Sequence, residues 1–210
     1  MSNELKSRKK STADKLKRFV PEGFENFLAD LIYEYPVTFK IVPPRSTKLG
    51  DFRPGLRDTK SQITVNGDLN KYSFLITSVH EFAHLRTFLK YGVSVKPHGE
   101  EWKQEYRKML LPLIDSELLP EDIRNALVNS LISTKASSCS DIQLSRILKK
   151  YDVVKTGVHI LESLPKNTTF VLQGKTFVKG ELRRKRFLCE DLQTARKYLV
   201  HALSEVKIIE

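Results

Sequence analysis

The sequence predicts a mixed α+β protein: a helical body around a small, antiparallel sheet, followed by a β-rich module. Three observations carry that expectation. Residues 72–89 are apolar almost all the way round a helical wheel, as in a helix buried on every side. Val37, Phe39 and Ile41 alternate with polar neighbours, and a second β-rich run covers 62–66. From residue 168 onward, helical periodicity gives way to short strand-like runs punctuated by glycine.

Taken in order, residues 1–18 are polar and basic and are expected to form a disordered tail. Over 21–35 the residues Phe24, Phe27, Leu28, Leu31 and Ile32 recur at helical spacing, after Pro21 and before Pro36. Strands follow at 37–42, weakly at 49–52, and at 62–66, where Asn66-Gly67 signals a turn. The long helix ends at Tyr91-Gly92, a sequence suited to a C-terminal cap. Trp102, Tyr106, Met109 and Leu110 mark the apolar stripe of the next helix, and further helices are expected near 121–132 and 141–150. The stretch 134–140 reads as a linker, dividing a main domain over 19–133 from a helix plus β-rich module over 141–210. In that module strands are expected at 168–172, 175–179, 182–188, 197–201 and 204–209.

Chemistry concentrates in His80-Glu81-Phe82-Ala83-His84, inside the long apolar helix. Side chains four apart share a helix face, so both imidazoles can close on one zinc ion, with Glu81 beside any water held there. Burying these three polar groups among apolar neighbours is costly unless something satisfies them, and a cation satisfies all three. Such a site generates a nucleophile from water at neutral pH, the central need of peptide hydrolysis. A catalytic zinc usually takes three protein ligands. A third histidine six residues beyond His84 is excluded, because Thr87 and Lys90 occupy the positions that spacing uses for glycine and histidine. His98 is the leading third ligand, with Glu100 and Glu101 as competitors.

The histidine pair, followed by His98-Gly99-Glu100-Glu101-Trp102 at the head of the next helix, resembles the SprT-like zinc metallopeptidase domain of Spartan-type proteases. The resemblance covers about residues 33–113, including the 37–42 strand, the Lys48-Leu49-Gly50 turn and Ile63-Thr64-Val65-Asn66. It implies a zincin-like fold, Zn2+ as cofactor, His80, His84 and His98 as ligands, and Glu81 as general base. Together with the basic extensions of the chain, it favours protein substrates bound to DNA. The family continues into a zinc ribbon with four cysteines, and here this chain departs. Cys139 and Cys189 are its two cysteines, so a four-thiolate site cannot form within one chain. The C-terminal module therefore reads as a metal-free, degenerate ribbon or an unrelated β subdomain, and the thiols as free cysteines of a reducing compartment.

The net charge of +11 is unevenly spread. Residues 1–18 carry seven basic and two acidic side chains, residues 19–140 fifteen of each, and residues 141–210 fourteen and eight. The excess on the two extensions suits contact with a phosphate backbone. Its densest run is Arg183-Arg184-Lys185-Arg186, with Lys6, Arg8, Lys9 and Lys10 as a second cluster. No apolar run approaches a membrane span, and the N-terminal stretch lacks the apolar core of a signal peptide, so a cytoplasmic protein without a membrane partner is expected. Three functions fit: a zinc protease directed to nucleic-acid-bound proteins, a nucleic-acid- or transcription-associated binding factor with weak or vestigial peptidase activity, and a zinc peptidase whose basic arms touch ribosomes or acidic partners. The oxyanion-stabilising residue is not identifiable, with Arg107 and Tyr72 as candidates, while His159 and His201 are expected to stand outside the site.

Overall fold

A computed structural model describes residues 3–45, 47–55, 59–132 and 141–209. Two compact units divide the chain, Met1–Asp152 and Val153–Glu210. The described residues are α+β, and the first unit is built from α1 (Asn3–Leu16), α2 (Glu25–Glu34), β1 (Val37–Val42), β2 (Gly50–Arg53), β3 (Ser61–Asn66), α3 (Lys71–Tyr91), α4 (Glu100–Asp115), α5 (Glu121–Ile132) and α6 (Ile142–Lys149).

The N-terminal segment is not the disordered tail its charge suggested, because α1 packs on α2. Ala13, Leu16 and Val20, spaced three and four apart, enter the core and anchor an otherwise polar helix. Thr12 hydroxyl to Tyr33 hydroxyl (3.0 Å) and a Lys9–Asp30 ion pair hold its outer turns.

The small sheet is mixed rather than antiparallel. Its order is β1-β3-β2, with β1 parallel and β2 antiparallel to β3. The chain reverses into β2 and reverses again into β3, which slots between the other two, so β3 returns in the direction of β1. Four residues of β3, Ile63 to Asn66, are all buried, as befits the central strand. Phe39 of β1 stacks on Phe82 of α3 (5.9 Å between centroids), locking the sheet onto the long helix.

Helix α3 matches the buried helix expected from the sequence. Asn70 caps its N-terminus by accepting the Ser73 N–H, and Gly92, at φ 69°, closes its C-terminus by donating to Phe88 O. Buried Ser78 and Thr87 donate to carbonyls one turn back, at Phe74 and Ala83.

The domain boundary falls later than the sequence suggested. Helix α6 belongs to the first unit, its Leu144 part of the main core, and the division follows Asp152. What draws α6 in is a set of contacts far apart in sequence. Asn70 Nδ2 donates to Leu148 O (3.0 Å), the Tyr72 and Tyr151 rings meet edge-on at 4.6 Å, and Tyr151 hydroxyl donates to Asp122 (2.7 Å). The expected linker at 134–140 and Cys139 lie outside the described residues.

The second unit contains β4 (His159–Ile160), a 3-10 turn (Leu161–Ser163), β5 (Thr169–Leu172), β6 (Lys175–Val178), β7 (Leu182–Arg183), β8 (Arg186–Asp191), β9 (Lys197–His201) and β10 (Glu205–Ile208). They form a seven-stranded antiparallel sheet in the order β4-β10-β5-β6-β8-β7, with β9 also on β8. The expected single strand at 182–188 is instead a hairpin, turning at Arg184-Lys185 with Arg184 at φ 59°. Phe170, Phe177, Phe187, Val200 and Val206 fill the core, and Cys189 is a buried free thiol.

Candidate metal centre

Helix periodicity delivers the first part of the site. His80 and His84 lie one turn apart on α3, and their Nε2 atoms are 3.1 Å apart. The third imidazole comes from the reversal between α3 and α4. His98 sits at φ 58°, immediately before Gly99 caps α4, and its Nε2 lies 3.0 Å from each of the other two. Among the described residues, these three histidines form a group that could hold a metal ion. Glu100 is exposed on the first turn of α4, outside that group, and Glu101 is likewise not part of it.

The triangle itself argues for a cation. A ring nitrogen carries either one proton or one lone pair, so three mutual contacts of this length cannot all be hydrogen bonds. A tetrahedral zinc ion with bonds of about 2.0–2.1 Å holds its nitrogens about 3.3 Å apart, close to the separations seen. The protonation state fits as well. Burial, reinforced by His84 and His98, holds His80 well below the usual imidazole range. Burial, with His98 beside it, brings His84 down to about 4, and burial also lowers His98. At neutral pH all three are uncharged, the form in which imidazole ligates a metal ion.

Trp102 forms one side of the cluster. Its ring centroid lies 4.7 Å from His80, 5.2 Å from His84 and 4.7 Å from His98. The sequence suggested only core packing for this residue, and it does pack, but against the imidazoles. Phe52 stacks on His84 from β2, at 6.4 Å.

Glu81 is buried, with a relative exposure of 6%. Burial and the Asp51 carboxylate push its pKa up to about 8, while the Phe52 backbone N–H and the Arg45 and Lys48 cations work the other way. A dication next to it would favour the ionised form. Sequence reasoning missed how this carboxylate is held. A Cβ at position 50 would lie 2.5 Å from Glu81 Oε1 and 2.7 Å from Thr77 Cγ2, so only glycine lets β2 approach α3 this closely. The preceding loop is fixed by Asn66, whose Nδ2 donates to Arg45 O (3.2 Å) and Lys48 O (3.1 Å). Arg45 donates back to Asn66 Oδ1 (2.8 Å). The Lys48-Leu49-Gly50 and Val65-Asn66 stretches were the visible signals, without the contact that explains them.

Two cavities flank the cluster. One, of about 350 Å³, includes His80 and Glu81 in its lining; the other, of about 200 Å³, is bounded by His84, Phe52 and Trp102. Neither is lined by Arg107 or Tyr72. Arg107 donates to Leu131 O (2.7 Å) and Tyr72 packs on Tyr151.

The other candidate residues lie elsewhere. Arg183, Arg184, Lys185 and Arg186 are exposed around the β7–β8 hairpin. Lys6, Arg8 and Lys10 are exposed on α1. His159 and His201 are in the second unit, where His201 Nδ1 accepts the Leu203 N–H (3.2 Å). No described helix is long and apolar enough to cross a membrane. Comparison with protein-family models, curated proteins and solved structures finds no match for this chain.

Proposed function

We propose that this protein is a zinc-dependent metallopeptidase of the SprT-like, zincin-like type, acting in the cytoplasm on proteins associated with DNA. One observation carries the reading: three neutral imidazoles converge at 3.0–3.1 Å with a buried carboxylate one residue after the first of them. Zinc held by His80, His84 and His98 would supply Lewis acidity, lowering the pKa of water and polarising a carbonyl.

The chain's own groups do the rest. His80 and His84 present their nitrogens from a rigid helix, and His98 closes the set. Glu81 accepts the proton of the attacking water and returns it to the departing amine nitrogen. Gly50 and the Phe52 N–H hold that carboxylate in place. Phe52 and Trp102, packed on the imidazoles, limit water around them. In the second unit, which has eleven basic and six acidic residues, the hairpin with Arg183, Arg184, Lys185 and Arg186 is the proposed phosphate contact.

The test compares wild type with Glu81→Gln on a basic protein substrate, with and without DNA, at low and high salt. Wild type should bind one zinc per chain and cleave in a DNA-stimulated, salt-sensitive manner. Glu81→Gln should keep the zinc and lose about 10²–10⁴ in rate. Undiminished cleavage by the variant would remove Glu81 as the base. DNA binding with zinc but without cleavage would favour a nucleic-acid-associated binding factor instead.

A further inference from the structure

The larger cavity beside the metal cluster is built from segments that are remote in sequence. His80, Glu81 and Thr77 of α3 form one wall, the loop through Lys48 forms a second, and Ser145 and Leu148 of α6 form the third. We infer that this cavity is a substrate subsite, and that α6 sets the side chain accepted next to the scissile bond: an aliphatic or aromatic one. The inference rests on the peptidase reading and adds the substrate class.

Four features support it. The cavity shares Glu81 and His80 with the reacting centre, so whatever fills it lies beside the bond attacked. Its volume, about 350 Å³, is ample, since a cavity of about 150 Å³ accommodates a benzene ring. Leu49, Ile76, Leu144 and Leu148 give it an apolar lining. The cation at its margin, Lys48, is compensated by Asp51 at 2.8 Å and so offers little attraction to an acidic side chain.

The third wall is also fixed in advance. Asp141 caps α6 by accepting the Gln143 and Leu144 N–H groups, and Asn70 Nδ2 donates to Leu148 O and to Asp152 Oδ1 (2.5 Å). Asn70 is at the same time the N-cap of α3, so one side chain ties the helix bearing the metal ligands to the helix bearing the pocket wall. A subsite with clamped walls selects by fit, and each methylene that fits or fails to fit changes affinity by about 10- to 200-fold.

Hydroxamates test this without turnover. Acetohydroxamate, 3-methylbutanohydroxamate and phenylacetohydroxamate are titrated against the zinc-loaded full chain, with the emission of Trp102, the chain's one tryptophan, as the readout. The isobutyl and benzyl compounds should bind at least about tenfold more tightly than the methyl compound. Ser145→Phe and the milder Ser145→Leu should abolish that preference while leaving zinc affinity unchanged. Cleavage of a peptide mixture should, in parallel, yield new termini next to Leu, Met or Phe in wild type and next to smaller residues in the variants.

Equal affinities across the series in zinc-loaded wild type would overturn the subsite and leave the metal reading intact. A preference that survives both folded variants would assign the side chain to the smaller cavity beside His84, and so overturn the role of α6. Failure of wild type to take up zinc would overturn the peptidase reading and the subsite together.

Discussion

The polar core of the second unit and the metal cluster of the first place their polar groups in opposite ways. In the second unit, Lys179 is only 3% exposed, and its ammonium donates to Leu164 O and Glu162 O and lies 4.0 Å from the centre of the Phe187 ring. Asp191, equally buried, accepts the Gln193 (2.9 Å) and Thr194 (3.3 Å) N–H groups. Donors there meet acceptors, and the network closes on itself. At the cluster in the first unit, three imidazole nitrogens face one another across 3.0–3.1 Å with the Glu81 carboxylate one residue along. Buried polarity with internal partners holds a fold together. Imidazole nitrogens aimed at a common point form a group that could hold a metal ion.

Removing one imidazole of that convergence should have the largest effect. His84→Ala should weaken zinc affinity by more than about a hundredfold, the loss that even an outer-shell partner can bring. Competition with a chromogenic chelator measures it, and the second unit's unfolding should not respond. Next comes acidity. In metal-free Glu81→Gln protein, the unfolded chain takes protons on these histidines near pH 6.5, whereas folded His84 resists until about 4. The stability contributed by the uncharged histidines is therefore fully present above 6.5 and lost as the pH falls toward 4, as Trp102 fluorescence in urea would report. The Glu81→Gln background matters because that carboxyl, raised to about 8, contributes with the opposite sign as pH rises from 4.5.

Lys179→Met addresses the closed network. It strands two carbonyls and should destabilise the second unit by about 1–3 kcal/mol, with zinc uptake unaffected. Equal stability, measured by far-ultraviolet circular dichroism in urea, would mean the ammonium contributes nothing net. The smallest expected effect is Gly50→Ala. Its methyl group would displace Glu81 while leaving the imidazoles alone, lowering the hydrolysis rate about tenfold at constant zinc affinity. A parallel loss of zinc would show that β2 supports the whole cluster rather than the carboxylate.

Local periodicity explains which parts were legible in the sequence. His80, Glu81 and His84 could be placed on one buried helix because spacing within a helix is set by its own geometry. The β5–β6 hairpin was legible for a similar reason: Gln173 and Gly174 both take positive φ, as a tight hairpin turn demands. Misjudged elements depend on distant partners. The charge of α1 hid the Ala13–Leu16–Val20 stripe that docks it, and the parallel pairing of β1 with β3 follows from two reversals no single strand encodes. Helix α6 was assigned to the wrong unit because its tie is Asn70, more than seventy residues earlier. The hold of Gly50 and Phe52 on Glu81 is of the same kind.

The left-handed backbone at His98 has a consequence for assembly. Two imidazoles are in register as soon as α3 winds, but the third arrives only when the chain doubles back into α4. An ion gripped by all three would rivet neighbouring helices across that bend. Its capture would thus coincide with completion of the helical hairpin rather than follow it.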